Sequence, residues 1–224
     1  MPSYLSCKND AEHRNMTSAR STTLLIVFLI VLPVPAVVWA ESAPTQEYQI
    51  KAAFLYNFLK FVDWPKEKMA DSNEPIIIGI AGKDPFGNAF DPVRDKKVKN
   101  RKVVVKRFGG FAEVKKSGEN RNAEVQRQVT ALRKCYLLFI CSSEEKKLKE
   151  IISLVKDHSV LTVADTKGFL ESGGVINFII QEKKVRFEIN TVAAKRAKLE
   201  IRSKLLRLAK RVVREEAPQG KKDK

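Results

Sequence analysis

Beyond residue 40 the sequence keeps one histidine, His158, two cysteines, Cys135 and Cys141, and two aspartates beside glycine-bearing loops, Asp84 and Asp165. A lone histidine in a polar bend supplies neither a metal set nor a triad, and no GxSxG elbow or P-loop accompanies it. No catalytic residue, metal site or cofactor is therefore predicted. The loop Gly82-Lys83-Asp84-Pro85-Phe86-Gly87 follows an apolar run and precedes an expected helix, the place where α/β folds bind ligands. Its backbone amides and Lys83 could hold an anion. The competing reading is a tight turn, which glycine, aspartate and proline favour by themselves. Gly173-Gly174 carries the same two readings. A small ligand, if bound, is expected in a crevice near Lys83, Asp84, Asp165 and Gly173. Asp84 with Asp165 is the one carboxylate pair worth a substitution test for acid–base work, against capping or turn formation.

Cys135 and Cys141 bracket the apolar stretch Tyr136 to Ile140. On a continuous strand they lie about 20 Å apart, at roughly 3.3 Å per residue, whereas a disulfide needs Cα atoms within about 7 Å. They are then buried thiols, cross-links between chains, or residues on something other than one strand. Buried thiols are the simplest reading, since free cysteine behaves as a small hydrophobe.

The elements that must position these groups follow from apolar spacing. Tyr48, Ala52, Leu55, Leu59 and Val62 form one helical stripe and Phe54, Phe58 and Phe61 another, leaving Gln46, Gln49, Asn57 and Lys60 as a polar strip. So wide an apolar surface is either sandwiched inside the domain or partly turned to another molecule. Trp64-Pro65 should end this helix. Ile76 to Ala81, Val103 to Val105, Tyr136 to Ile140 and Val160 to Ala164 are apolar at nearly every position, the mark of strands covered on both faces. Leu148, Ile151, Ile152 and Val155 place a helix between the last two. Gly174 to Ile180 and Lys184 to Ile189 read as a hairpin, and Leu205, Leu206, Leu208 and Ala209 as an amphipathic helix. The predicted fold is α/β: a three-layer arrangement with a mostly parallel sheet flanked by helices and a C-terminal antiparallel β-hairpin at its edge.

Residues 1–40 have the order of a signal peptide: a basic residue at Arg20, the apolar run Leu24 to Leu32, prolines 33 and 35, and the small-residue site Val38-Trp39-Ala40. Cleavage is expected after Ala40, an uncleaved anchor being the alternative. A single domain over 41–213 and a basic, disordered tail over 214–224 complete the expected organisation. The formal charge of +16 attracts anionic surfaces. Its lysines and arginines are dispersed, however, without a nucleic-acid-binding signature, so no nucleic-acid partner is predicted.

The segments AAFLYNFLKFVDWP (52–65), GKDPFG (82–87), the block LTVADTKGFLESGGVINFIIQEKKVRFEIN (161–190) and residues 193–209 together resemble the YfiR-like family. The resemblance implies a periplasmic protein able to dimerise. In the family's best-known member it also implies restraint of an inner-membrane diguanylate cyclase through that enzyme's periplasmic region, with control of cyclic-di-GMP and biofilm. Three departures stand out. Gly79 and Ile80 occupy a region where members often carry a cysteine that bridges to the position of Cys135; Lys198 replaces a glycine common before the leucine matching Leu199; and the segment 113–133 is long. The expected function is a periplasmic, non-enzymatic regulator that binds an inner-membrane signalling protein, with Phe54, Phe58 and Phe61 as contact residues. Such a protein meets the membrane only through its partner and can form a homodimer. A periplasmic small-ligand-binding protein is the alternative, and an enzyme ranks third.

Overall fold

The structure is a computed structural model that describes residues 45–71, 73–110 and 121–215. The expected export segment, and the tail from 216 onward, lie outside the described residues. Among the described residues five α-helices occur: α1 (Gln46–Phe61), α2 (Arg121–Lys134), α3 (Leu148–Val155), α4 (Thr191–Arg196) and α5 (Ser203–Leu206). The strands are β1 (Val62–Asp63), β2 (Ile76–Ala81), β3 (Lys97–Val98), β4 (Arg101–Phe108), β5 (Leu137–Ile140), β6 (Leu161–Ala164), β7 (Ile176–Gln181), β8 (Lys184–Asn190), β9 (Glu200–Ile201) and β10 (Arg211–Val213).

Eight strands form one sheet in the order β10-β8-β7-β6-β5-β2-β4-β3, while β1 and β9 make a small antiparallel pair. Neighbours in the large sheet run parallel except at β7–β8 and β3–β4. Both antiparallel pairs are closed by two-residue turns, Glu182-Lys183 and Lys99-Asn100, in which both residues have positive φ. Such turns match the right-handed twist of the strands they join.

Alternation along the central strands sends side chains to two apolar clusters. Ile76, Ile78, Ile80, Leu137 and Phe139 join Ala52, Leu55, Phe58 and Leu59 of α1, while Ala81, Leu138 and Ile140 join Val129 and Leu132 of α2 and Ile151, Ile152 and Val155 of α3. Double-sided burial explains why these strands read as continuous apolar runs.

Three expectations need correction. The β7–β8 pair is not at the sheet edge, because β10 lies parallel outside β8; Lys210 N–H donates to the Phe187 carbonyl, and Arg211 donates from Nε and Nη2 to the Glu188 carboxylate at 2.8 and 3.0 Å. The helix expected through Leu208 and Ala209 is the single turn α5, with Leu208 61% exposed before the chain enters β10. The helix expected after Gly87 is only a 3-10 turn, Asp91–Val93, with Pro92 inside its first turn. Helix α1 itself stops at Phe61, and Val62 is already extended ahead of Trp64-Pro65.

The β1–β9 pair is tied by Asp63. Its carboxylate accepts from Arg202 Nε and Nη2 at 2.7 and 2.9 Å and from Lys99 Nζ at 2.7 Å. These bonds, the Arg202 bond foremost, hold its pKa down to about 2. A depressed carboxylate stabilises the fold fully above its unfolded value of about 3.9 and loses that contribution as protonation sets in below it. Thermal melts between pH 6 and pH 2 should therefore show an acid-side fall in Tm that is shallower in Asp63→Asn.

Cys135 and Cys141 are free and buried, and burial pushes each thiol up to about 12. A Cβ added at Gly79 would lie 2.7 Å from Cys135 Sγ, 2.9 Å from Leu138 Cδ1 and 3.0 Å from a Phe108 ring carbon. Gly79→Ala should then overpack the core and cost about 1–3 kcal/mol in chemical denaturation. Gly79→Cys should bring a thiol within bonding reach of Cys135, so that under oxidising conditions the denatured variant titrates with one reactive thiol fewer than wild type.

Candidate functional site

Chain order reverses between β2 and β5, since β2 leads to β4 on one side while β5 leads to β6 on the other. Ligands in open α/β sheets bind outside the carboxyl ends of strands at such a point. Here that place is filled by the loop after β2. Lys83 N–H donates to Ser143 Oγ at 2.9 Å, and a Cβ on Gly82 would lie 2.5 Å from the same oxygen. With φ at +101°, position 82 suits glycine on conformational grounds too. Asp84 accepts from the Phe86 N–H at 2.7 Å through one oxygen and from Arg107 Nε at 2.6 Å through the other. Phe86 is fully buried, its ring packed 4.8–5.2 Å from those of Phe139, Phe90 and Tyr48. The Lys83 amide and the Asp84 carboxylate are thus engaged in holding a turn.

An open cavity of about 510 Å³ lies beside it, at the end of β6 and along β7. Its wall includes Tyr48, Lys51, Asp165, Glu171, Asn177 and Arg211. Lys51 is the organising group. It stands three residues after Tyr48 and four before Leu55, on the apolar stripe of α1, and is only 2% exposed. Its ammonium is held between Glu47 and Asp165 at 2.5 and 2.6 Å and lies 4.4 Å from the Tyr48 ring centre. The Tyr48 hydroxyl donates to the same Asp165 oxygen at 3.0 Å, and burial, then the Asp165 charge, raises the phenol well above its ordinary range. Arg211 pairs with Glu188 and, at 3.2 Å, with Glu171.

Three buried oxygens lie around this strand end without a hydrogen-bond partner: Asp165 Oδ1, Thr166 Oγ1 and Asn177 Oδ1. An unpaired buried polar group costs about 1–3 kcal/mol, a cost that donors on a bound molecule would offset. The cavity is suited to hold a polar molecule. Lys51, Asp165, Glu47, Arg211, Glu188 and Glu171 are tied to one another, which suits recognition better than proton transfer.

Of the residues assigned to a ligand crevice from sequence, only Asp165 lines this cavity. Lys83 and Asp84 belong to the neighbouring turn. Gly173, at φ +92°, closes a turn through its N–H to the Leu170 carbonyl and faces Ile152 and Arg196. Of the expected contact residues Phe58 is a core member, while Phe54 and Phe61 are partly buried at the margin of that core. Phe58 is 0% exposed, and Phe54 packs against Phe58, Phe178 and Phe187 with ring centres 5.6–6.0 Å apart. Phe61 is partly buried beneath the Lys204 ammonium. A ring without exposed surface cannot meet a partner of the folded domain. Lys51, Asn177 and Arg211 were missed, although a lysine within an apolar helical stripe is a signal that sequence contains.

A family model described as YfiR/HmsC-like matches residues 48–210. The sequence finds no match among curated proteins. A solved structure described as a conserved domain protein from Vibrio cholerae is similar with a TM-score of 0.46 at 12% identity, over 74% of this chain and 60% of that one.

Breaking a buried ion pair from one side leaves the other charge stranded, at about 3–5 kcal/mol. Lys51→Met should therefore lose stability of that order in denaturant titrations at neutral pH. The double variant Lys51→Met/Asp165→Asn should recover part of the loss.

Proposed function

The chain belongs to the YfiR/HmsC-like family, and from that premise we propose that it is an exported, non-enzymatic regulator acting in the periplasm. It binds and restrains the periplasmic region of a membrane-bound signalling protein, a diguanylate cyclase, and so lowers cyclic-di-GMP and biofilm formation. The observation that carries this reading beyond family membership is the state of the ionisable groups at the polar cavity. Lys51, Asp165, Arg211 and Glu188 are locked in ion pairs, an arrangement that favours a binding surface over a reacting centre. Among the described residues no helix is long and apolar enough to cross a membrane. The apolar run before Ala40 supports export.

A second reading, a small-ligand-binding protein, is favoured by the cavity and by the unpaired Asp165 and Asn177 oxygens within its walls. Native mass spectrometry of protein purified without added ligand separates the two, since a carrier retains a stoichiometric small molecule. For the regulator, loss of the gene should raise cellular cyclic-di-GMP, and complementation with the exported chain should reverse the rise. Affinity capture from envelope extracts should retain an inner-membrane cyclase identified by mass spectrometry. Unchanged cyclic-di-GMP together with capture of no membrane signalling protein would sink the proposal.

A further inference from the structure

The two edges of the large sheet differ. One is closed by the short β10, which Arg211 clamps to β8. The other carries β4, whose eight residues are met on the outer side, among the described residues, by only two, Lys97 and Val98 of β3. Pairing there reaches no farther than Lys102, whereas the inner side is bonded to β2 from Val103 to Phe108.

Main-chain direction decides what the open stretch offers. The Phe108 carbonyl accepts from Gly82 N–H at 3.1 Å, so it points toward β2. Peptide groups alternate sides along a strand, so those of Val104 and Lys106 also turn inward while those of Val105 and Arg107 turn outward. Among the described residues no backbone bond beyond the strand ladders involves either residue. Alongside runs an open cleft of about 620 Å³, whose wall includes Phe90, Val93, Val103, Val105, Lys102 and Arg107. Val104, which also borders this cleft, is 38% exposed. Lysines commonly guard a strand edge against indiscriminate pairing. Here Lys102 and Lys106 make no ion pair among the described residues, and Arg107 reaches out to Asp84 and the Gly87 carbonyl.

We propose that the outer edge of β4 is a strand-addition site that receives an extended, acidic segment of a protein partner. The free peptide groups of Val105 and Arg107 supply register, the cleft takes the apolar side chains of the added strand, and Lys102 and Lys106 select for carboxylates. A second copy of this chain fits poorly. Self-pairing along β4 would gather Lys102, Lys106 and Arg107 of both copies along one seam, and like charges brought together across strands destabilise. The proposal rests on the reading of this chain as a protein-binding regulator and names the kind of segment it would hold.

The test uses a labelled octapeptide of alternating glutamate and valine, compared with the same peptide N-methylated at alternate residues, which keeps its charge but loses strand donors. Fluorescence anisotropy with the purified protein should show the methylated peptide binding at least tenfold more weakly. Lys102→Glu/Lys106→Glu, at two exposed positions, should weaken the unmodified peptide comparably. Amide hydrogen exchange at Val105 and Arg107 should be fast in the free protein and slow at least tenfold when the peptide binds. Equal binding of the two peptides, unchanged exchange at these amides, absence of binding, or a dimer formed through β4 would each overturn the proposal. If capture of a membrane cyclase succeeds while the peptide fails, the edge assignment falls and the regulator stands; if the peptide binds while cyclic-di-GMP is unchanged, the edge stands without that regulator.

Discussion

Burial of the central strands on both faces is the constraint on which the rest of the molecule depends. β2, β5 and β6 are almost wholly apolar, so each face needs its own cover. One face takes α1 and the other α2 and α3, which leaves few places for polar groups except strand ends and edges. Burying a side chain such as Phe58 or Leu59 contributes about 1.5–3 kcal/mol each, so the aromatic surface of α1 is first a packing surface. Phe58 is wholly committed to that packing, whereas Phe54 and Phe61 keep part of their surface exposed.

Within that cover Lys51 is the exception that organises the polar cavity. A lysine on the buried stripe of α1 has to meet a countercharge, and the end of β6 supplies Asp165. Removing a charge from water is costly, so such a pair is weak evidence for added stability. What it does provide is a fixed geometry between helix and sheet, with Tyr48 held against the same carboxylate. The strand end beside it, with Asn177 and the Arg211 network, becomes a preformed polar wall.

The open edge of β4 and this cavity are distinct surfaces. The edge exposes main-chain groups among lysines, whereas the cavity presents side chains of both signs. The free, crowded thiol of Cys135 against Gly79 shows how closely the same sheet is packed beneath them.

Sequence alone determined the helix α1, the buried strands β2, β5 and β6, a short turn between β7 and β8 and the resemblance of residues 52–65 and 161–190 to one family, because periodicity and turn chemistry are local properties; that β4 is open at Val104 was not among them. It also marked Asp165. The grouping of Asp165 with Lys51, Asn177 and Arg211 was decided only by tertiary structure, since these residues come from distant segments and meet through strand order. Strand order likewise placed β10 outside the β7–β8 pair, where Arg211 finds Glu188, and converted an apparent terminal helix into a single turn and a strand. The role of Gly82 to Gly87 stayed open in sequence because a turn and an anion cradle use the same residue types. Ser143 and Arg107, brought in by long-range packing, engage the Lys83 amide and the Asp84 carboxylate and close that loop as a turn.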